Sequence, residues 1–223
     1  MAQELERTTV EVTILYYTSN REDENFERNI MGNIKKNSSG LPIVSVSQKP
    51  IDMGKNICVG EKPHSYTSEF MQIRLGLEAI TTPYVLTAES DFLYPPEYFT
   101  KVPTELRKVY RFGNVWIGYR KFYFKGFSDG AQLVDRQLWL DLINRAYPER
   151  DNWEQPRLHN PQPRLKDPKD TWTSELVAIS FKTNGNVRKV TDWKKGRLPT
   201  STLPLWGEIN SLKNQLYESD TQK

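Results

Sequence analysis

Thr82-Pro83-Tyr84-Val85-Leu86-Thr87-Ala88-Glu89-Ser90-Asp91-Phe92-Leu93-Tyr94-Pro95-Pro96-Glu97-Tyr98 is the stretch that decides how this 223-residue chain reads. It predicts a short buried strand, then two carboxylates at i and i+2, then a Pro-Pro start for a helix. Alternate residues of an extended chain point the same way, so Glu89 and Asp91 are expected to face one site at the strand's carboxyl end. Open α/β sheets place their ligands there. Two carboxylates at such a point suit a hard divalent ion carrying a nucleotide diphosphate. A Glu-x-Asp pair by itself is common on solvated surfaces; its position after an apolar strand gives it weight.

Working outward, Phe70, Ile73, Leu77 and Ile80 recur at helical spacing and predict an amphipathic helix feeding that strand. An opening strand is expected over Val10–Tyr17. Asn20-Arg21-Glu22-Asp23-Glu24 then starts a helix with acidic residues in its first turn, as the helix dipole favours. Phe26, Ile30 and Ile34 form its apolar face, Asn37-Ser38-Ser39-Gly40 ends it, and Ile43–Val46 is a second strand. This β-α-β order implies parallel strands with a right-handed crossover. The fold class expected is α/β, a mostly parallel sheet with helices on both faces. Residues 47–66 read as a long loop, in which Lys55 and Asn56 are candidate phosphate or sugar contacts or plain surface residues.

Further along, Val109–Phe112, Val115–Tyr119 and Phe122–Phe124 predict short strands rich in aromatic and β-branched residues. A helix is expected over Leu133–Tyr147, a proline-spaced loop or lid over 148–170, a helical stretch over Trp172–Lys182, and a last helix from Trp206 to Tyr217 packing on the sheet. One domain is expected to span the chain. Residues 10–100 would form a donor half and 105–200 an acceptor half.

The order helix, turn, apolar strand, acidic pair and Leu-x-Pro resembles the donor half of GT-A glycosyltransferases, family 2 in particular. Val12-Thr13-Ile14-Leu15-Tyr16-Tyr17-Thr18-Ser19-Asn20-Arg21-Glu22 resembles that family's first strand and the turn after it. Gly130-Ala131-Gln132-Leu133-Val134-Asp135-Arg136 resembles its Gly-Ala…Arg acceptor segment. The chain is also similar to small phage-associated and metagenomic glycosyltransferases that carry Ser-Val-Ser-Gln-Lys-Pro, Gly-Lys-Asn-Ile-Cys-Val-Gly and Ala-Glu-x-Asp-x-Leu-Tyr-Pro-Pro-Glu, found here from Ser45, Gly54 and Ala88 onward. The resemblance covers roughly residues 10–190. It departs from the family at Glu89, where Asp is commoner, at Arg74, where Asn is usual, and at the end of strand two, which lacks Asp-Asp-Gly-Ser.

The resemblance implies transfer of a sugar from a nucleotide-sugar donor, with UDP favoured, to an acceptor hydroxyl, with inversion favoured. Mn²⁺ or Mg²⁺ would be held by Asp91 assisted by Glu89. The donor would contact Thr18, Ser19, Asn20, Arg21, Gln48, Lys55, Asn56, Arg74 and Glu89. The family's base lies at a Glu-Asp-x-Asp-Leu segment. Here Asp170-Thr171-Trp172-Thr173-Ser174-Glu175-Leu176 matches it without the Glu-Asp pair. Glu175 or Asp170 would therefore supply the base, with Asp129 the next candidate.

Composition narrows the partners. The net charge is a mild +3, and hydrophobic residues make up 37%. No apolar run approaches the ~20 residues needed to span a bilayer, and the charged start Ala2-Gln3-Glu4-Leu5-Glu6-Arg7 reads as no signal peptide. A cytoplasmic protein without membrane insertion is expected. Cys58, His64 and His159 are the whole Cys/His inventory, too few for a zinc centre. Lys182, Arg188, Lys189, Lys194, Lys195 and Arg197 crowd one run against Asp192. It is a solvated face or a polyanion contact, in which Trp193, Lys194, Lys195 and Arg197 would meet an acceptor such as a hydroxymethylated pyrimidine in phage DNA. Two other function classes fit less well. A nucleotidyltransferase usually carries a glycine-rich basic loop after strand one, which Thr18-Ser19-Asn20-Arg21-Glu22 lacks. A carbohydrate- or nucleic-acid-binding module with a degenerate site is allowed by Glu89 and the missing base pair.

Overall fold

β1 (Val12–Thr18) is buried along its whole length, which is possible only if both of its faces are covered. Its side chains alternate between two cores. Ile14 and Tyr16 pack with Phe26, Ile30 and Ile34 of α1 (Glu24–Asn37), on the face that also meets the second sheet. Leu15 and Tyr17 pack with Phe70, Ile73 and Leu77 of α2 (Tyr66–Ala79) and with Trp139 and Ile143 of α3 (Arg136–Ala146). The computed structural model describes residues 11–165, 170–183 and 197–219.

The large sheet has seven strands. β2 (Ile43–Ser47), β3 (Lys55–Cys58) and β4 (Tyr84–Glu89) run parallel to β1, which sits between β2 and β4. β9 (Gln132–Asp135) pairs antiparallel with both β4 and β6 (Val109–Phe112), and β10 (Thr171–Trp172) adds on parallel to β6. Six strands therefore point one way and β9 the other. A second, mixed sheet orders β5 (Phe92–Leu93), β11 (Ala178–Phe181), β7 (Val115–Gly118) and β8 (Phe122–Gly126). β12 (Thr202–Leu203) and β13 (Gly207–Glu208) make a short ribbon before α4 (Ile209–Tyr217). A mostly parallel sheet between helices, with a small mixed lobe beside it, is the arrangement the sequence implied.

Several local expectations are corrected. Leu133 and Val134 belong to β9, because Asp135, not a residue before Leu133, caps α3 by accepting from Leu138 N at 2.7 Å. Trp172–Lys182 contains β10 and β11 with a bend between them; the spacing of Leu176 and Ile179 mimics a helix, but Ala178–Phe181 is buried on both faces as a strand. The 47–66 loop contains β3, an edge strand. α4 lies on α1 rather than on the sheet: Phe26 and Tyr217 have ring centroids 5.1 Å apart, and Asn29 Nδ2 donates to Leu216 O at 2.9 Å. Residues 148–165 have little regular structure but are tied down. Thr67 Oγ1 donates to Gln155 O, Leu158 N to Ala146 O, and Arg111 Nη2 to Pro163 O.

Gly54 enters β3 with φ +62°. A Cβ there would overlap the Ile43 carbonyl oxygen and lie 2.8 Å from Ile43 Cβ. Gly54→Ala is therefore expected to cost on the order of 1–3 kcal/mol. Urea unfolding would check it, and an unchanged midpoint would show that the turn gives way freely.

Candidate active site

The parallel register brings Thr18, Ser47 and Glu89 to one edge of the sheet, and antiparallel β9 brings its amino end to the same edge. A cleft of 1020 Å³ opens there. β4 ends at Glu89, the chain turns through Ser90-Asp91, and β5 then starts in the second sheet. The acidic turn thus spans the junction of the two sheets, and Phe181 N of β11 donates to Asp91 O at 2.8 Å. Both carboxylates line the cleft, as the sequence predicted, but Asp91 arrives by a turn and not by strand alternation.

Glu89 is held from several sides. Tyr17 OH donates to its Oε1 at 2.6 Å. Its backbone N donates to Tyr94 OH at 3.1 Å, and Tyr94 OH donates to Gly130 O at 2.6 Å. Gly130 lies directly over the carboxylate: a Cβ at that position would overlap Glu89 Oε2 and stand 2.6 Å from Glu89 Cδ. Gly130→Ala is expected to push Glu89 out of place and lower turnover on the order of tenfold while the global fold survives. Steady-state kinetics beside a melting curve would test this; wild-type turnover in a folded Gly130→Ala protein would remove the positioning role.

Two carboxylates that the sequence did not single out share the cleft. Glu69 stands in the first turn of α2, and Glu22 in the β1–α1 connection, where it accepts from Thr183 Oγ1 at 2.9 Å. Burial, then the charges of Asp129 and Asp91, push the Glu69 carboxyl up to about 7. Burial, and with it the charges of Asp91 and Glu27, raises Glu22 to about 7. Burial, then Asp91 and Glu69, raises Glu89 to about 8. A carboxyl raised on folding binds more protons folded than unfolded, so stability falls as pH rises from its unfolded value of about 4.3 toward its folded one. Glu69→Gln is expected to raise the melting temperature at mildly alkaline pH and to leave it nearly unchanged below about pH 4. An equal shift at both pH values would mean that something other than ionisation is responsible.

The other sequence-predicted residues divide. Thr18, Ser19 and Gln48 line the cleft, and Gln48 Oε1 accepts from Lys62 N at 3.1 Å. Asn20 has φ 51°, and its Oδ1 accepts from Gln48 N and Lys49 N at 2.9 and 2.8 Å, so it clasps the β1 and β2 ends together. Arg21 is exposed outside the lining. Asn56 is occupied on β3, donating to Ser45 Oγ and Ser47 Oγ at 2.9 Å each, and Lys55 is exposed beside it. Arg74 is not at the donor side. It is buried between α2 and α3, donating to Ile143 O and Tyr147 O at the carboxyl end of α3, where a cation is favoured.

Among the base candidates, Asp129 lines the cleft and pairs with Arg111 Nη2 at 2.9 Å. Asp170 is buried beside Lys108 Nζ at 3.3 Å, away from the lining, and Glu175 is exposed in the bend between β10 and β11. Of the basic run, Lys182 lines the cleft and Arg197 lies 4.0 Å from the Phe124 ring centroid. Trp193, Lys194 and Lys195 lie outside the described residues.

Among the described residues, no three His, Cys, Asp or Glu side chains form a ready-made metal cage. A divalent ion bound through one or two carboxylates and substrate phosphates does not require one. The mutual repulsion of Glu22, Glu69, Glu89 and Asp91 is what such a cation would relieve. Asp91 and Glu89 fit it on that ground.

No protein-family model matches the chain, and no curated protein matches it. Solved structures similar to it include the glycosyltransferase GlyE of Streptococcus pneumoniae TIGR4, at 15% identity over 66% of this chain and 41% of that one, TM-score 0.39. The bifunctional IspDF of Campylobacter jejuni shares 12% identity over 81% of this chain and 52% of its own, TM-score 0.40. A glycosyltransferase involved in glycosylation of the major capsid of PBCV-1 shares 11% over 76% and 93%, TM-score 0.41. The chain spans about half the length of the first two. At these scores function has to be read from the site. Among the described residues no helix is long and apolar enough to cross a membrane.

Proposed function

We propose that the protein is a metal-dependent glycosyltransferase that moves a sugar from a nucleoside-diphosphate donor, a UDP-sugar first among those to try, to an acceptor hydroxyl. The observation that carries it is the placement of Glu89 and Asp91 on the floor of a cleft at the carboxyl ends of β1, β2 and β4, with Asp129 reaching the same cleft from the acceptor half. Asp91 and Glu89 would hold Mn²⁺ or Mg²⁺, which neutralises charge on the leaving diphosphate. Tyr17 and Gly130 fix the Glu89 carboxylate, and Thr18 and Ser19 border the donor side.

The acceptor oxygen attacks the anomeric carbon as the bond to the diphosphate oxygen breaks, and the diphosphate leaves with the electron pair. The hydroxyl proton passes to the Asp129 carboxylate, which Arg111 orients. A base contributed by the acceptor half, facing the acidic turn, fits inversion. The test is nucleotide-sugar hydrolysis and transfer by purified protein with and without Mn²⁺ or Mg²⁺. Donor binding without any turnover across a broad acceptor panel would favour a binding module instead. DNA as acceptor is the finer expectation from the basic run, and it rests on Trp193, Lys194 and Lys195.

A further inference from the structure

We infer that the outer edge of the second sheet, where Tyr119, Arg120 and Lys121 meet Arg197 and Leu198, docks on an anionic lipid surface; this does not rest on the transferase reading above. Topology brings the five residues together. Tyr119–Lys121 make the tight turn from β7 to β8, closed by Tyr119 N donating to Lys121 O at 3.1 Å. The segment after Arg197 then runs antiparallel along the free side of β8. Phe122 N donates to Thr200 O at 2.8 Å, and Thr200 N to Phe122 O at 3.1 Å. Pairing about these two residues sets Leu198 opposite Phe124. Arg197 lies 4.0 Å from the Phe124 ring centroid, as that register requires.

The edge is positive with nothing set against it. Arg120, Lys121 and Arg197 are exposed, and none pairs with a carboxylate among the described residues. Arg120 lies 5.6 Å from the Tyr119 ring centroid and Arg197 5.9 Å from that of Trp116. Neither 113–128 nor 197–207 contains an Asp or Glu, and β11, on the far side of β7, has none. The next carboxylate along, Glu208, is turned to α4, where it accepts from Asn210 N and Ser211 N at 2.8 and 2.9 Å. The run joining Thr183 to Arg197 holds Arg188, Lys189, Lys194 and Lys195 against Asp192, so it adds net positive charge wherever it lies.

Charge alone would suit any polyanion; the apolar side chains decide between them. Leu198 is 90% exposed and Tyr119 38%. A nucleic-acid backbone is bound through its phosphates and gives an exposed aliphatic side chain nothing to enter. At a bilayer surface Leu198 reaches the boundary of headgroups and acyl chains while its neighbouring cations meet the anionic headgroups, and a tyrosine suits the same level. Adsorption of this kind needs no spanning helix. At the other end of β8, Lys125 lines the cleft, about 13 Å along the strand from Lys121. Docking would therefore hold the cleft close to the lipid without covering it.

Cosedimentation of the full chain with vesicles tests this. The protein should partition onto phosphatidylcholine vesicles containing about one-third phosphatidylglycerol, stay in solution with pure phosphatidylcholine, and come off the anionic vesicles as salt is raised. A cation near such a surface strengthens partition about fivefold, so the double variant Arg120→Ala, Lys121→Ala should lose on the order of twentyfold. Leu198→Ser should lose severalfold, and Leu198→Phe should keep its binding. The double variant Lys35→Ala, Lys36→Ala removes the same charge from the exposed end of α1 and should bind nearly as the wild type does. Every side chain replaced is exposed, and melting curves would confirm that the variants fold. No partition onto anionic vesicles at low salt would overturn the inference. So would an equal loss in the α1 variant, or wild-type binding in both the Arg120/Lys121 and the Leu198→Ser proteins. Tighter binding of duplex DNA than of vesicles, indifferent to Leu198→Ser, would overturn it in favour of a nucleic-acid contact. The transferase reading is tested separately, by donor turnover without vesicles, and stands or falls apart from these results.

Discussion

Asp91→Ala is expected to lower transfer about a thousandfold, a loss of about 4 kcal/mol of transition-state stabilisation. The size follows from where the residue stands. Asp91 is in the turn between β4 and β5, and after burial its carboxylate is one of the negative charges that raise Glu22, Glu69 and Glu89. The link that its backbone makes to the second sheet, Phe181 N to Asp91 O, does not depend on the side chain. The variant should therefore fold, bind donor weakly and turn over little. Chelation of the wild-type protein with EDTA should give a loss of similar size, reversed by Mn²⁺ or Mg²⁺. Full activity in EDTA, or a fast Asp91→Ala protein, would sink the metal-assisted mechanism.

The second large effect is expected at Asp129. Asp129→Asn keeps the shape of the side chain and removes its capacity to take a proton. Turnover should fall on the order of a hundredfold, with donor affinity little changed. Glu175→Gln is the control, since Glu175 is exposed away from the cleft, and it should retain near-normal turnover. Asp170→Asn should act on stability, because it weakens the partner of Lys108. If Asp129→Asn stays active, Glu69, another carboxylate lining the cleft, becomes the residue to change next.

The parts of the fold that were legible in the sequence are those in which local pattern and tertiary setting agree. β1, β2, β4 and α1 carry plain signals: mostly apolar runs in β1 and β4, Ile43, Val44 and Val46 among serines in β2, and Asp23 capping a helix whose apolar face is Phe26, Ile30 and Ile34. Asp91 and Glu89 were legible for the same reason, as an acidic turn closing a buried strand. Leu133–Val134 and Ala178–Phe181 misled because four buried residues suit either a strand or one turn of helix. Only the pairing partners, β4 and β6 for one and β5 and β7 for the other, decide it.

Side-chain roles were harder to read than backbone. Asn20, Asn56 and Arg74 are polar residues at positions where a donor contact was expected, yet each is used inside the fold to satisfy backbone or side-chain groups. Glu69 went unnoticed because an acid in the first turn of a helix already has a local explanation in the dipole. Its place in the cleft depends on α2 starting at the sheet edge, which no short stretch of sequence records.

The seam between β4 and β9 carries a practical consequence. It consists of three residue pairs, Tyr84 with Asp135, Val85 with Val134 and Leu86 with Leu133. The second sheet has a matching seam, where β5 meets β11. Glu89 and Asp91 precede residues 104–107 in the chain and Asp129 follows them, and residues 104–107 are exposed. A chain cut within 104–107 would yield two pieces, each holding one part of the proposed reaction centre and neither holding both. Catalysis would then report fragment reunion, and this small protein would serve as its own complementation reporter.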